Sequence, residues 1–546
     1  MAKIASKTTA KPKSTRNKGN AGAGSSPIKA KSKPTRITTG GTTSTELKTK
    51  SELFLTAVST FAGEDTFYES GQSRIDRIVA LTHKATKKDP EWVENFVAWL
   101  RGPEGNIRTA AIIIACEYVY AGGPNGRKVI DSVCQRADEP AEVIAWWCQN
   151  HYGWNMGSNP LPSPRLPQAL RKGLADACRR LYNEYSAMKY SGHQNGVGMA
   201  DVLNLIHPKP SNELQGGVFD FIIDRAYGND VVLDGLPMLT ANFALRSKSP
   251  EEIRKMTADE LKAAGITWEQ MGGYIGGAWT AADWERVIPS MGYMALLRNL
   301  RNFEQAGISR AAQDMVIARL SDPAEVAKSR QLPFRFLSAY KNVNSSTYSR
   351  ALEDALDLSV KNIPAFSGRT LALVDKSGSM DQHLSNPKDR NRYGYAMPDV
   401  TRPKLWEVGA LFATALALKG EDVDLVAFAT RSKPIDVPRG SSVLKGMQRL
   451  SGDLRIDHGT ATAQAVRKHW NGHDRVVIFT DVKPNYGQQV NQSEIPFIHY
   501  FDLGGYGGGA ADLNQRGRYQ YGGFTDSTFK LMPLLEFGDG SWPWEL

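Results

Sequence analysis

The chain has 546 residues, of which 41% are apolar, with 67 basic and 57 acidic side chains. That length gives room for roughly two to four domains, while no run of ~18 apolar residues and no apolar leader core is present, so neither a spanning helix nor a secretory signal is expected. The net charge of +10 is uneven: residues 1–50 carry +11, and the remaining chain balances 55 basic against 56 acidic groups.

Residues 1–50 are Lys, Ser, Thr, Gly and Pro with almost no large apolar side chain. Such a segment cannot bury enough surface to fold, so a disordered basic tail is expected. It could gain affinity for RNA or DNA by counterion release, or serve only to solubilise. From Ser51 to about Val360 the text is helical. Leu53, Phe54, Ala57, Val58 and Phe61 have the 3-4 spacing of one apolar face, and Trp92, Phe96, Trp99 and Leu100 repeat it. Gly102-Pro103, Gly122–Gly126 and Asp138-Glu139-Pro140 punctuate the helices. This rhythm predicts antiparallel helix pairs stacked as an α-solenoid. The four cysteines, Cys116, Cys134, Cys148 and Cys178, lie 18, 14 and 30 apart. No zinc pattern has that spacing, so reduced core thiols and a cytoplasmic location are expected.

Between Pro164 and Pro210, Arg171, Lys172, Arg179 and Arg180 recur at intervals of seven and eight, which places them along one side of a helix. Lys189-Tyr190, His193 and Lys209 follow. Basic groups beside Tyr and His can hold phosphates and stack bases. The plainer alternative is a solvated amphipathic helix neutralised by Asp176 and Glu184.

Further on, Leu371-Ala-Leu-Val-Asp375-Lys-Ser377-Gly-Ser379 reads as a buried strand running into a carboxylate and two hydroxyls. In an open α/β sheet ligands sit at the carboxyl ends of strands. Thr460 precedes a helix, and Asp481 ends a second apolar strand, Arg475–Thr480. Hard oxygens of this kind suit Mg²⁺ or Mn²⁺. The order D-x-S-x-S, T, D resembles the metal-ion-dependent adhesion site of von Willebrand factor A domains. That resemblance implies a divalent-cation site of Asp375, Ser377, Ser379, Thr460 and Asp481, with the second aspartate reaching the metal through water and a partner's acidic group or a phosphate completing the shell. Strand 370–374, helix 404–419, strand 423–429, helix 460–470, strand 475–480 and strand 495–503 predict a doubly wound α/β sheet. No base or nucleophile stands beside the motif; His458 and His473 read as surface residues. With one loosely held ion and no second carboxylate-rich site, an enzyme is not expected.

The text Gln168-Ala-Leu-Arg-Lys-Gly-Leu through Lys189-Tyr190 to His207-Pro-Lys-Pro210 resembles the TROVE module of Ro autoantigen proteins. So do Met294–Leu300 and Leu332–Leu337, ahead of the metal-motif domain. The resemblance covers roughly residues 50–503 and is to the bacterial or phage type of the family. It implies a HEAT-like helical ring (residues 51–360) clasped by an A domain (361–546). It further implies small structured Y-like RNA on the outer face, single-stranded RNA 3′ ends in the central hole, an exoribonuclease as a further partner, and a monomer. The family's lysine before tyrosine matches Lys189, and its next basic residue falls near His193. Its histidine at the start of the following helix is replaced by Met199, a departure bearing on the outer RNA site. A second reading is a protein-interaction module working through the metal site.

Two other segments complete the chain. The insert 381–401 is polar and directly follows the metal loop, where it could overhang the site or move freely. Residues 504–523, rich in Gly, Tyr and Arg, are expected to form an irregular connection, and Trp542 and Trp544 to dock on the body.

Overall fold

In a computed structural model of the chain, the described residues are 45–58, 71–155, 165–190, 196–360, 366–383, 385–390, 396–398, 402–452, 459–481, 490, 493–503, 517–522, 529, 532–533, 535–536 and 542–544. All belong to one compact unit, Thr35–Leu546. The expectations for residues 1–44, His193 and His458 lie outside the described residues.

The first half is a helical array. Its leading members are α1 (Thr45–Val58), α2 (Gly71–Lys88), α3 (Pro90–Arg101), α4 (Thr109–Tyr120), α5 (Gly126–Val133), α6 (Glu139–His151), α7 (Gln168–Leu181), α8 (Glu184–Lys189) and α9 (Met199–Ile206). Helices continue to Ser346–Ser359. Residues 45–50, assigned above to the tail, belong to α1. Helix α3 shows how the sequence sets each element. Asp89 caps it by accepting from Trp92 N at 3.0 Å, Pro90 supplies a preset φ, and Trp92, Phe96, Trp99 and Leu100 form its buried face. Helix α4 is buried on all sides from Ala110 to Val119, as a helix at the centre of an array must be. The four cysteines are buried and free. Burial pushes the Cys148 thiol up to about 11 and the Cys178 thiol up to about 12, which makes them inert.

A buried ion cluster ties α3, α4 and α6 together. Glu139, fully buried, pairs with Arg101 and with Arg108 at 3.1 Å, and accepts from the backbone of Gln135 and Arg136 at 2.5 and 2.9 Å. Removing one partner of such a cluster strands the others in low dielectric. Glu139→Ala is therefore expected to cost ~3–5 kcal/mol, read from urea unfolding; a loss under ~1 kcal/mol would mean the guanidiniums find water.

The second half is an α/β domain. Its strands are β1 (Arg369–Asp375), β2 (Ser385–Arg390), β3 (Ala396–Pro398), β4 (Asp422–Phe428), β5 (Ser432–Pro434), β6 (Arg475–Thr480), β7 (Phe497–Asp502) and β8 (Arg518–Gly522). The six-stranded sheet has the order β5-β4-β1-β6-β7-β8, parallel except for the edge hairpin β4–β5. Alternation along β1 separates the two faces: Leu371 and Leu373 pack with Ala463 and Val466 of helix Thr462–His469, and Ala372 and Val374 with helix Leu405–Lys419. Gly409 allows that second helix close approach, since a Cβ there would meet Phe479 at 3.1 Å.

Two expectations need correction, and one segment left open gains a defined pairing. The Gly/Tyr/Arg-rich stretch is not wholly irregular: its end, β8, pairs in parallel with β7, because Tyr519 and Tyr521 are buried and reward pairing. The insert after the metal loop contains the antiparallel ribbon β2–β3. His473 is buried, 2.8 Å from Asp424 and accepting from Asn471 N, so it braces a turn beneath the sheet.

The α/β domain touches both ends of the helical array. At the far end, Val443 N donates to Asp357 at 2.9 Å, Ser442 bonds Glu353, and Lys341 pairs with Glu407 at 2.6 Å. At the near end, Trp542 lies 4.9 Å from Trp92 and 5.6 Å from Phe54, and Trp544 lies 5.8 Å from Phe96. The terminal tryptophans thus dock on α1 and α3. No helix among the described residues is long and apolar enough to cross a membrane.

Candidate metal centre and RNA-facing residues

The motif residues converge at the carboxyl edge of the sheet. β1 delivers Asp375, which is fully buried. Its Oδ1 accepts from Ser377 N at 2.8 Å, and its Oδ2 accepts from Thr480 Oγ1 at 2.6 Å. Ser377 Oγ and Ser379 Oγ stand 3.3 Å apart. The bond from Ala461 N to Ala429 O, 2.9 Å, holds the Thr460 turn against the end of β4. Thr460 and Asp481 are 5% and 1% exposed. Both oxygens of Asp481 are buried and meet no hydrogen-bond donor among the described residues. Burial, with a further contribution from Asp481, pushes the Asp375 carboxyl up to about 6 despite its three hydrogen bonds. Two buried carboxylates and three hydroxyls with spare lone pairs form a donor set that a hard divalent ion fits. Among the described residues no group of three or more His, Cys, Asp or Glu could hold a metal, so an ion here would depend on the hydroxyls.

Two residues that sequence reasoning missed support this loop. Thr480, immediately before Asp481, orients the Asp375 carboxylate. Lys376, 2% exposed inside the motif, donates to Leu450 O at 2.7 Å and lies 4.8 Å from the Trp406 ring. It therefore pins the loop to the C-terminal end of helix Val443–Gly452, where a cation is favoured. The buried lysine has no periodicity to betray it; only its place between Asp375 and Ser377 could have drawn notice.

The basic residues of the helical array divide. Arg179 pairs with Asp176, and Arg180 reaches Asp131 at 2.7 Å and the Cys134 carbonyl at 2.8 Å, closing the end of α5. Arg171 donates to Ile206 O at 3.3 Å. Lys172, Lys189 and Lys209 are exposed, with no ion pair among the described residues. Lys189 stands 5.5 Å from the Tyr185 ring and 5.3 Å from that of Tyr190. It lines a cavity of about 890 Å³, together with Tyr185, Lys262, Trp268, Arg298 and Lys328. That cavity, built from segments well separated in sequence, was not foreseen. Met199 is 3% exposed in the first turn of α9, so this position presents an apolar side chain to the core.

Comparison with known proteins agrees with this layout. The TROVE domain family matches residues 264–347, which include Met294–Leu300 and Leu332–Leu337 but not the stretch around Arg171. Telomerase protein component 1 of Mus musculus and of Rattus norvegicus is 41% identical over 66 residues, which is 12% of this chain and only 2% of either relative. The solved structure of the Ro (RSR) protein of Deinococcus radiodurans superposes with a TM-score of 0.64 at 18% identity, covering 90% of this chain and 100% of that one. The chain thus carries a TROVE-domain match over residues 264–347, and its helical array with the following α/β domain shares the fold of the Ro (RSR) protein.

Proposed function

We propose that the protein is a non-catalytic RNA-binding scaffold of a ribonucleoprotein, working in RNA quality control, processing or decay. The observation that carries this is the double contact of the α/β domain, with α1 and α3 at one end of the helical array and helix Ser346–Ser359 at the other. Contacts at both ends favour a closed, HEAT-like ring with a central hole. A ring sorts RNA by shape: a single strand with a free end can thread, whereas a folded RNA must stay outside. The cationic, aromatic lining around Lys189, Lys262 and Trp268 suits a single strand, because phosphates meet ammonium groups and bases meet rings. Small structured Y-like RNA on the outer face would use Lys172 and Lys209, whose charges are uncompensated. Arg179 and Arg180 are already engaged within the protein. An exoribonuclease would act on the threaded end.

The α/β domain is read as a von Willebrand factor A-like domain. Its Asp375, Ser377, Ser379, Thr460 and Asp481 would hold Mg²⁺ or Mn²⁺, whose open position would accept an acidic group of a partner. The Asp481 carboxylate, buried and without a hydrogen-bond donor among the described residues, is the observation favouring this second role as a metal-dependent interaction module.

The test is charge reversal with electrophoretic binding assays on structured and single-stranded RNA. Lys172→Glu and Lys189→Glu are each expected to weaken RNA binding by ~10-fold or more and to flatten its salt dependence. Arg180→Gln should act mainly on stability. Unchanged RNA affinity in both lysine variants would reject these faces.

A further inference from the structure

Two fully buried carboxylates of the helical array are matched with guanidiniums: Glu139 meets Arg101 and Arg108, and Asp283 meets Arg254 and Arg286. Glu117, fully buried in the apolar helix α4, is held differently. Its side-chain partners among the described residues are all rings. Oε2 meets His83 Nε2 of α2 at 2.7 Å, while Oε1 meets His151 Nε2 at 3.0 Å and Trp146 Nε1 at 2.9 Å, both of α6. Burial raises the Glu117 carboxyl, but hydrogen bonds from His151, Trp146 and His83 outweigh it and hold the group below its ordinary value. An ionised carboxylate can only accept. Each imidazole therefore donates from Nε2, which fixes its tautomer and its plane.

The rings held in this way support another. Tyr120, one turn beyond Glu117 on the same side of α4, stacks on His151 with centroids 4.0 Å apart and planes 13° apart, and on His83 at 5.5 Å and 30°. Trp147, itself buried, meets Tyr120 edge-on at 6.0 Å. Despite these contacts Tyr120 is 56% exposed, because α4 leaves the core there: every residue from Ala110 to Val119 is buried. Helix α2 carries Lys84 next to His83 and Lys87 one turn further on. Both lysines are exposed, with no ion pair among the described residues.

We propose that Tyr120, stacked with His83 and His151, is a platform for an unpaired nucleobase of a single RNA strand, with Lys84 and Lys87 meeting the flanking phosphates. The proposal rests on the RNA-binding reading above and adds a second contact region, built on α2, α4 and α6 rather than on the Lys189 cavity. Every base has a π-face, so a ring platform holds a strand without regard to sequence, and ammonium groups beside it follow the backbone. The buried carboxylate sets the imidazoles in advance, so little ordering is left to be done when a base arrives.

The experiment uses the full-length protein and an unstructured 12-nucleotide oligouridine carrying 5-iodouracil, with affinity and the position of the photocross-link as readouts. Tyr120→Ala should weaken binding by ~5-fold or more and abolish a cross-link at the end of α4. Tyr120→Phe keeps the ring and should bind like the wild type, as should Tyr227→Ala, which removes another exposed tyrosine. A wild-type protein that binds RNA while Tyr120→Ala binds it equally well overturns the platform, and so does a Tyr120→Phe variant as weak as Tyr120→Ala. If the wild-type protein binds no RNA, the RNA reading fails, and ligand-detected NMR with adenosine 5′-monophosphate decides the site separately. Saturation transfer to the base protons that Tyr120→Ala lacks would keep the platform with a free nucleotide as its ligand; no transfer would overturn it too.

Discussion

Mg²⁺ is expected to raise the melting temperature of the protein at pH 7 and to do so far less at pH 5. In the metal-free protein the Asp375 carboxyl sits at about 6, above its ordinary 3.8, because it is buried and faces Asp481. A carboxyl whose folded value is raised penalises folding once ionised. The penalty is absent below pH ~4, grows as pH rises through 6, and reaches ~3 kcal/mol above that, taking 1.4 kcal/mol for each pH unit of the rise. A divalent ion needs the ionised form and cancels the penalty, so metal affinity rises over the same window. Asp375→Ala should abolish cation binding by calorimetry while removing the pH-dependent penalty from the metal-free protein. Asp481→Asn should weaken binding less if its carboxylate acts through water. Melting temperatures indifferent to Mg²⁺ at pH 7 and 1 mM, in protein freed of metal by chelation, would show that these oxygens do not bind the ion.

Trp542→Ala/Trp544→Ala is expected to release the near end of the helical array from the α/β domain. Trp542 is 7% exposed, and the two indoles stack on one another at 5.8 Å while meeting Phe54, Trp92, Phe96 and Trp99. Truncating a buried tryptophan costs ~3–5 kcal/mol. The tether upstream is firm: Glu536 is 2.7 Å from Arg475 and 2.9 Å from His499, and Tyr519 donates to Leu535 O at 2.9 Å. The loss should therefore fall on the α1–α3 contact rather than on the sheet. Amide exchange in Leu53–Val58 and Trp92–Leu100 should speed up by ~100-fold or more, with β1 and β6 unchanged. Equal exchange in the variant and the parent would mean that α1 and α3 hold their place without the indoles.

The parts of the fold legible in the sequence were those that local physics determines. The apolar run 371–374 and the alternation of strand and helix gave the central parallel strands to within a residue or two, because a buried strand must be apolar on both faces. The motif order gave five residues that the fold does bring to one sheet edge. The parts that were not legible depend on partners distant in sequence. Three of the five β8 residues are Gly or Tyr, and only pairing with the edge of β7 makes it a strand. Helix Val443–Gly452 and β5 were hidden in a connection with no strong period. The charge pattern of α7 looked like one basic face, yet Asp131 and Asp176 consume Arg180 and Arg179, pairings no spacing rule reveals. The Lys189 cavity joins α8 to residues beyond Lys328, a juxtaposition of segments far apart in the sequence that no local pattern encodes.

The central claim is that a closed helical scaffold carries RNA. Isolating the full-length protein from its own cells under native, low-salt conditions and sequencing the RNA that comes with it tests this most directly. The account predicts a small structured RNA together with fragments bearing single-stranded 3′ ends, both released by raised salt. No RNA above that recovered with a control protein of equal charge would contradict it.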